Sequence, residues 1–456
     1  MVQNREVWGS KFGFILAAAG SAVGLGNIWK FPYIAGENGG AAFVFVYLIC
    51  IAIIGFPVLI AEILIGRTTQ KNPVGAFTAL SHNKFWISIG FLGVLAGFLI
   101  LSFYSVIGGW TIGYVIETLK GSISSFNDPA EAGELFNALV GNVGWNIGFH
   151  TIFFALVMFI VIRGVQGGIE RASKIMMPIL VFILVILIIR GVTLKGASAG
   201  VMFLWVPDWS KITAESILIA LGHAFFTLSL GMGAMMTYGS YMSKKDNVVT
   251  SSAQIVTLDT LIALMAGLAI FTAVFASGLD PAAGPGLIFQ TLPAVFSSMT
   301  GGTFFSLLFF LLLAIAALTS AISLLEVVVA YFVDEQKWNR KGAVIIFGGI
   351  TYLLGIPSAL SFNVMSGVTF FDLNFFDLID FIASNILLPF GGLMIAVFAG
   401  WVWSRTEMMA AAKEGAERLF ETYPWFEGIW LMFLKFIAPV LIALVLLNKL
   451  GFSITG

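Results

Sequence analysis

Charge is the scarcest commodity in this chain. Of 456 residues only 10% are Asp, Glu, Lys or Arg, against about 25% in an average soluble protein. So few charges cannot coat a water-exposed globule of this length. Cysteine is almost absent as well. The single Cys50 excludes an intramolecular disulfide and any multi-cysteine metal site. Only His82, His150 and His223 carry imidazole, too far apart for a zinc-binding spacing. No nucleophile–base pairing stands out either, so an enzyme is not expected. The net charge of -1 leaves no basic excess for a nucleic-acid partner. No small-residue cleavage site accompanies the first apolar stretch, which is therefore not expected to be a removable signal peptide.

What the chain has is apolar length. Hydrophobic residues make up 59%, with mean hydropathy +1.00, the composition of an all-α polytopic membrane protein. Eleven segments reach spanning length: 10–37, 41–66, 86–116, 145–162, 168–190, 214–241, 253–277, 303–333, 342–358, 375–403 and 427–450. Residues 117–141 read as a polar external loop. The stretch Asp280 to Ser298, with Pro281, Pro285 and Pro293, is too broken to span and reads as a loop with short helices. Positive charge sets the orientation. With the N-terminus inside, Lys30, Lys120, Arg190, Lys195, Lys211 and Lys449 fall outside. Lys435 falls within the last span, and the other sixteen of the 23 Lys and Arg fall inside. The expected topology is N-terminus cytoplasmic and C-terminus outside.

Gly20 to Pro32 reads G-S-A-V-G-L-G-N-I-W-K-F-P, with glycines at 20, 24 and 26. Glycine weakens a helix by about 1 kcal/mol relative to alanine. Unwound backbone at membrane depth survives only where protein buries it or a water-filled cavity receives it. The stretch fits a broken helix whose backbone binds something. It fits equally a kinked helix with glycines for close packing. A faint echo follows: G-L-G in the first segment (Gly24 to Gly26) and G-M-G in the sixth (Gly231 to Gly233). These segments open two five-helix halves, about 10–190 and 214–403, with an extra helix at about 427–450. An odd helix count inverts the second half. Paired interrupted helices are the best sequence pointer to a transporter's binding site.

Arg5 to Leu16 (R-E-V-W-G-S-K-F-G-F-I-L), the Gly20–Pro32 stretch and E-N-G-G at Glu37 to Gly40 resemble the opening of a neurotransmitter:sodium symporter. F-F-T-L-S-L-G-M-G at Phe225 to Gly233 resembles that family's sixth helix, and A-L-T-S-A at Ala317 to Ala321 its eighth. G-I-E-R-A-S-K-I-M-M-P at Gly168 to Pro178 resembles its fifth. The likeness runs through nearly the whole chain in order and is greatest to bacterial hydrophobic amino-acid transporters. It implies a sodium-coupled symporter in a bacterial-type plasma membrane, with an L-amino acid and membrane lipid as partners. A substrate-gated channel or an amino-acid sensor on the same fold is the alternative. A sensor needs an output domain, and the longest cytoplasmic stretch, Ser404 to Pro424, is too short to be one.

The resemblance also implies a site. Amides around Leu25 and Gly26 hold the substrate carboxylate, helped by Tyr104. The carbonyls of Ala22, Phe226 and Thr227 and the hydroxyl of Ser229 meet the amino group. Relatives that carry monoamines have an aspartate where Gly24 stands, so here the substrate brings its own carboxylate. Ile100, Tyr104, Phe226, Met232, Ser320 and Leu324 surround its side chain. They carry no charge, so a charged substrate would be desolvated without a partner. Taken alone, an apolar stripe at helical spacing is ordinary core packing. Two sodium ions are implied. One lies among the Ala22 carbonyl, Asn27, Thr227, Asp259 and the substrate carboxylate. The other lies among the carbonyls of Gly20, Val23 and Ala316 and the hydroxyls of Thr319 and Ser320.

Lys30 and Asp380 are implied as the external gate, and Arg5 and Asp334, with Trp8 and Tyr241, as the internal one. Gly168 and Pro178 frame a region that unwinds in the family. Glu326 is an intramembrane acid and a functional candidate by default. Chloride is not expected: chloride-dependent relatives have asparagine and serine where Asp259 and Ala263 stand. Tyr47 keeps the family's chloride-site tyrosine, while His223 replaces a glutamine. His223 is read either as a satisfied core histidine or as a partner in proton return through Asp259.

Overall fold

The structure, a computed structural model, describes residues 5–452 apart from 125, 127, 283 and 285. Pro285, assigned above to a loop, lies outside the described residues. Among those residues nine helices are long and apolar enough to cross a membrane. A tenth span is the bent pair Lys11–Ala22 and Gly26–Glu37, which meet at 49°. The expected sixth segment is in two pieces, Ala214–Thr227 and Ala234–Gly239, neither of which spans alone.

Helix starts follow from local chemistry. Asn83, Asn142, Asn247 and Asn339 cap the third, fourth, seventh and ninth segments, each side chain accepting from an amide in the first turn. One loop expectation is corrected. The third segment runs from Lys84 to Lys120 and stops at Gly121, whose φ of 85° closes the helix. Residues 117–141 are therefore partly helical, and Ala130–Gly141 forms a further helix. The stretch from Asp280 contains the short helix Leu287–Ser298, as expected. Among the described residues two short strands are not helical: Thr369–Phe370 pairs antiparallel with Leu373–Asn374. Phe371 and Asp372 make the turn at φ 53° and 63°.

The eighth segment, Gly302–Asp334, lies along the third. The inner piece of the first segment packs against the fifth, seventh and eighth. Lys11–Ala22 is buried on every side from Gly13 to Ala22, which marks a helix at the bundle centre rather than one facing lipid. Its small residues let the neighbouring helices approach closely.

Candidate functional site

The two broken segments set the site. Lys11–Ala22 ends at Val23, whose ψ of 90° leaves the helix, and the chain resumes helical form at Gly26. In the sixth segment Ser229, Gly231 and Gly233 all have positive φ, at 54°, 82° and 75°. Glycine adopts that conformation freely, whereas Ser229 does so at a cost of about 1–2 kcal/mol. Two contacts hold it in place. Its hydroxyl donates to the Ser21 carbonyl at 2.9 Å, and the Gly231 amide donates to the buried Glu62 carboxylate at 2.7 Å. Gly24 is a close approach. A Cβ there would strike the Ser320 hydroxyl and lie 2.8 Å from the Tyr104 hydroxyl.

The Leu25 amide donates to the Tyr104 hydroxyl at 3.1 Å, at the positive end of the half-helix Gly26–Glu37. Beside this pair is a cavity of about 30 Å³, room for one or two waters. It brings together Ala22, Gly26, Ile100, Tyr104, Phe226, Ser229, Met232, Ser320 and Leu324, with Ser21 and Gly24, and no charged side chain. Leu25 and Thr227, two further residues in the expected substrate set, do not line it. Leu25 lines the outer vestibule, and Thr227 turns to Asp259.

The oxygen-bearing residues converge in two groups. Asp259 is fully buried. Asn27 donates to its carboxylate at 2.7 Å and to its carbonyl at 3.0 Å, and Thr227 donates to both carboxylate oxygens at 3.3 Å. Among the described residues no cationic side chain pairs with it. A buried carboxylate with only neutral partners is poorly compensated, and a small hard cation fits that deficit. In the second group Thr319 Oγ1 lies 3.4 Å from the Val23 carbonyl and 2.9 Å from that of Ala316. Ser320 Oγ lies 3.4 Å from the Gly20 carbonyl and 3.0 Å from that of Ser21. Oxygen ligands without nitrogen or sulfur suit alkali and alkaline-earth ions.

Above the cavity a vestibule of about 330 Å³ is lined by Leu25, Trp29, Tyr104, Phe226, Lys30 and Asp380 among others. The implied outer gate is not an ion pair in this structure. Lys30 Nζ sits 4.3 Å from the centre of the Phe226 ring, and Asp380 accepts from Ser384 at 2.6 Å. The residues of the implied internal gate do meet. Arg5 pairs with Asp334 at 2.7 Å and lies over the Tyr241 ring, while the Trp8 indole donates to the Tyr238 carbonyl. Of the two implied gates, the Arg5–Asp334 pair is thus made and the Lys30–Asp380 pair is not.

The inner closure holds residues that sequence reasoning passed over. Arg340 binds Glu326 through both terminal nitrogens, Tyr241 donates to Glu326 at 2.6 Å, and Glu6 lies 3.5 Å from Arg340. Glu326 thereby gains a partner set. Glu170 accepts from the Gly9 amide at 2.6 Å and the Ser10 hydroxyl at 2.9 Å, and pairs with Lys174 at 2.6 Å. It fastens the stretch before the first segment to the fifth. Gly168 to Pro178 is helical throughout, inside Val165–Val192. At the expected anion position Ala263 is buried without a polar group. The Tyr47 hydroxyl and both His223 ring nitrogens find no hydrogen-bond partner among the described residues.

A profile described as the sodium:neurotransmitter symporter family matches residues 5–127 and 136–453. A sodium-dependent transporter of Bacillus subtilis, YhdH, itself uncharacterized, is 44% identical over 451 residues, covering 98% of each chain. The human sodium- and chloride-dependent taurine transporter is 27% identical over 498 residues, 96% of this chain and 77% of its own. The crystal structure of MhsT in complex with L-phenylalanine superposes with a TM-score of 0.89 at 48% identity, covering 98% of this chain and 100% of that one.

Proposed function

This chain belongs to the sodium:neurotransmitter symporter family, and on that premise we propose that it imports neutral hydrophobic L-amino acids, aliphatic or aromatic, by chloride-independent sodium symport with alternating access. It is an integral membrane transporter and not an enzyme.

The observation that carries the substrate class is the cavity itself. Beside the bond from the Leu25 amide to the Tyr104 hydroxyl, the cavity lining offers the hydroxyls of Tyr104, Ser21, Ser229 and Ser320 and the apolar side chains of Ile100, Phe226, Met232 and Leu324, with no charged group. A carboxylate suits the amide end, because the half-helix dipole and unsatisfied amides favour an anion. An uncharged side chain suits the apolar end. Met232 is adaptable in shape, consistent with a family of ligands. The phenylalanine bound by MhsT agrees with this reading.

Two sodium ions are assigned to the two oxygen groups, one around Asn27, Thr227 and Asp259, the other around Thr319 and Ser320. Asp259 supplies fixed negative charge at the first, which removes the need for a mobile chloride. The substrate carboxylate would complete that shell, so sodium and substrate raise each other's affinity reciprocally. The breaks in the first and sixth segments support two inverted five-helix halves around the site. The charge bias supports a cytoplasmic N-terminus in a bacterial plasma membrane.

Alternating access then follows from these parts. Substrate enters through the open vestibule and settles beside Tyr104. Lys30 leaves the Phe226 face for Asp380 and closes the outer path. The Arg5–Asp334 and Arg340–Glu326 pairs part to open the inner one. The test is uptake of labelled L-phenylalanine into sealed vesicles under an imposed sodium gradient, competed in turn by each other amino acid. Competition by aliphatic and aromatic residues and none by charged ones is the expected outcome. Competition led by lysine or glutamate would overturn the assignment.

A further inference from the structure

Lys435 belongs to neither side of the expected topology, because it lies within the last span. The structure sets it on the flank of the eleventh segment, Trp425–Lys449, against the tenth, Phe375–Val402. Its stem runs along Gly400, where a Cβ would lie 3.0 Å from Lys435 Cγ. Its ammonium sits 5.0 Å from the centre of the Trp401 ring. The Trp401 indole donates to the Lys435 carbonyl at 2.9 Å, within the π-turn Phe433–Ile437. Trp401 stands just before the end of its helix at Val402, so Lys435 is level with the end of the tenth segment. Tryptophan and lysine at the end of a span belong at headgroup depth.

This flank faces lipid. Ile429, Met432, Phe436 and Val440 recur at helical spacing and are all exposed, as are Trp401 and Val402. Phe436 stands edge-on to Trp401 with ring centres 5.3 Å apart. An ammonium beside such a face is costly without a counter-charge. Among the described residues Lys435 makes no ion pair. The Trp401 ring attracts the cation but carries no net charge to cancel it. Glu427, on the same helix, lies about 12 Å away along the axis. It is already held by Arg405 and Lys413, each at 3.0 Å. The result is a lone cation at headgroup depth, set on a ledge of two exposed rings.

We propose that Lys435, Trp401 and Phe436 form a binding site for one anionic phospholipid. Its phosphate meets the Lys435 ammonium, and an acyl chain covers the two rings. A zwitterionic lipid offers the same phosphate, but its own cation offsets the charge that Lys435 needs. The site therefore prefers a lipid of net negative charge. Inorganic phosphate lacks the chain that covers Trp401 and Phe436. A lipid seated here touches both helices and braces the eleventh segment on the tenth. The topology proposed above makes the cytoplasmic leaflet its source; the site itself depends neither on that topology nor on the transported substrate.

The experiment is native mass spectrometry of the purified full chain in detergent. It is titrated with phosphatidylglycerol or with phosphatidylcholine of the same chains, with inorganic phosphate as competitor. The wild type should bind its first phosphatidylglycerol about fivefold more tightly than phosphatidylcholine, the scale of one lysine's attraction to an anionic lipid surface. Excess inorganic phosphate should not displace it. Lys435→Gln should lose the preference and Lys435→Arg should keep it, which separates charge from folding. Equal affinity of the wild type for the two lipids would overturn the proposal. So would a preference that survives in Lys435→Gln, which would place the anionic lipid elsewhere. Displacement by inorganic phosphate would overturn it too, since the ligand would then be an anion and not a lipid.

Discussion

Asn27, in the first half-helix after the break, donates to the carboxylate of Asp259 on the seventh helix at 2.7 Å. These two residues are 232 positions apart in the chain, and the bond ties the broken first segment to a fully buried carboxylate. Replacing Asp259 by Asn should therefore strip the first sodium position of its charge. The sodium concentration for half-maximal substrate binding should rise by tenfold or more, since a hydrogen-bonded buried charge contributes about 1.5–3 kcal/mol. The check is a sodium titration of L-phenylalanine binding by scintillation proximity. An unchanged midpoint in Asp259→Asn would place sodium elsewhere.

Chloride tests the same residue from the other direction. Wild-type uptake should persist when chloride is replaced by gluconate. The double substitution Asp259→Asn/Ala263→Ser should gain stimulation by chloride, because it removes the fixed charge and adds a hydroxyl beside it. Collapse of wild-type uptake in gluconate would refute the assignment of fixed charge to Asp259.

Gly24 gives a steric prediction. The sequence suggests only that an aspartate here would repel the substrate carboxylate. The structure adds that any Cβ would strike the Ser320 hydroxyl and crowd that of Tyr104. Overpacking of this kind costs about 1–3 kcal/mol. Gly24→Ala should weaken L-phenylalanine binding by about 5- to 150-fold, and Gly24→Asp by more, through added repulsion at low dielectric. Equal affinity in wild type and both variants would mean that the substrate does not use this break.

The Arg340–Glu326 pair yields a stability cycle. Glu326 is completely buried, and removing one partner of a buried pair costs about 3–5 kcal/mol. Arg340→Gln and Glu326→Gln should each lower the thermal midpoint in detergent markedly. The double variant should lie above either single one, because no uncompensated charge remains. Additive losses in the double variant would show that the two residues act independently.

The cavity lining and the two oxygen groups were legible because their motifs are local: G-S-A-V-G-L-G-N, F-F-T-L-S-L-G-M-G and A-L-T-S-A each name a break or an oxygen cluster within a few positions. Long-range pairing was not legible. Glu6 and Arg340 stand 334 positions apart, and nothing in either neighbourhood marks them as partners. In a sequence Arg340 is one cytoplasmic positive charge among many. Lys435 likewise counted only toward topology, and its place against Trp401 needed the eleventh segment packed against the tenth. The helical parts of residues 117–141 were missed because their polar composition suits a surface helix as well as a loop. The nine spanning helices and the bent first pair were readable because apolar length alone sets them. The sixth segment broke for a reason that is written locally, in glycines at positive φ.

The central claim is tested most directly by labelled L-phenylalanine uptake into sealed vesicles containing the purified chain, with sodium outside only, on both sides, or wholly replaced by potassium. The account predicts accumulation above equilibrium with the inward sodium gradient, equilibration without it, and no more than background with potassium alone. Undiminished accumulation in potassium, or none under the sodium gradient for any neutral hydrophobic amino acid, would contradict it.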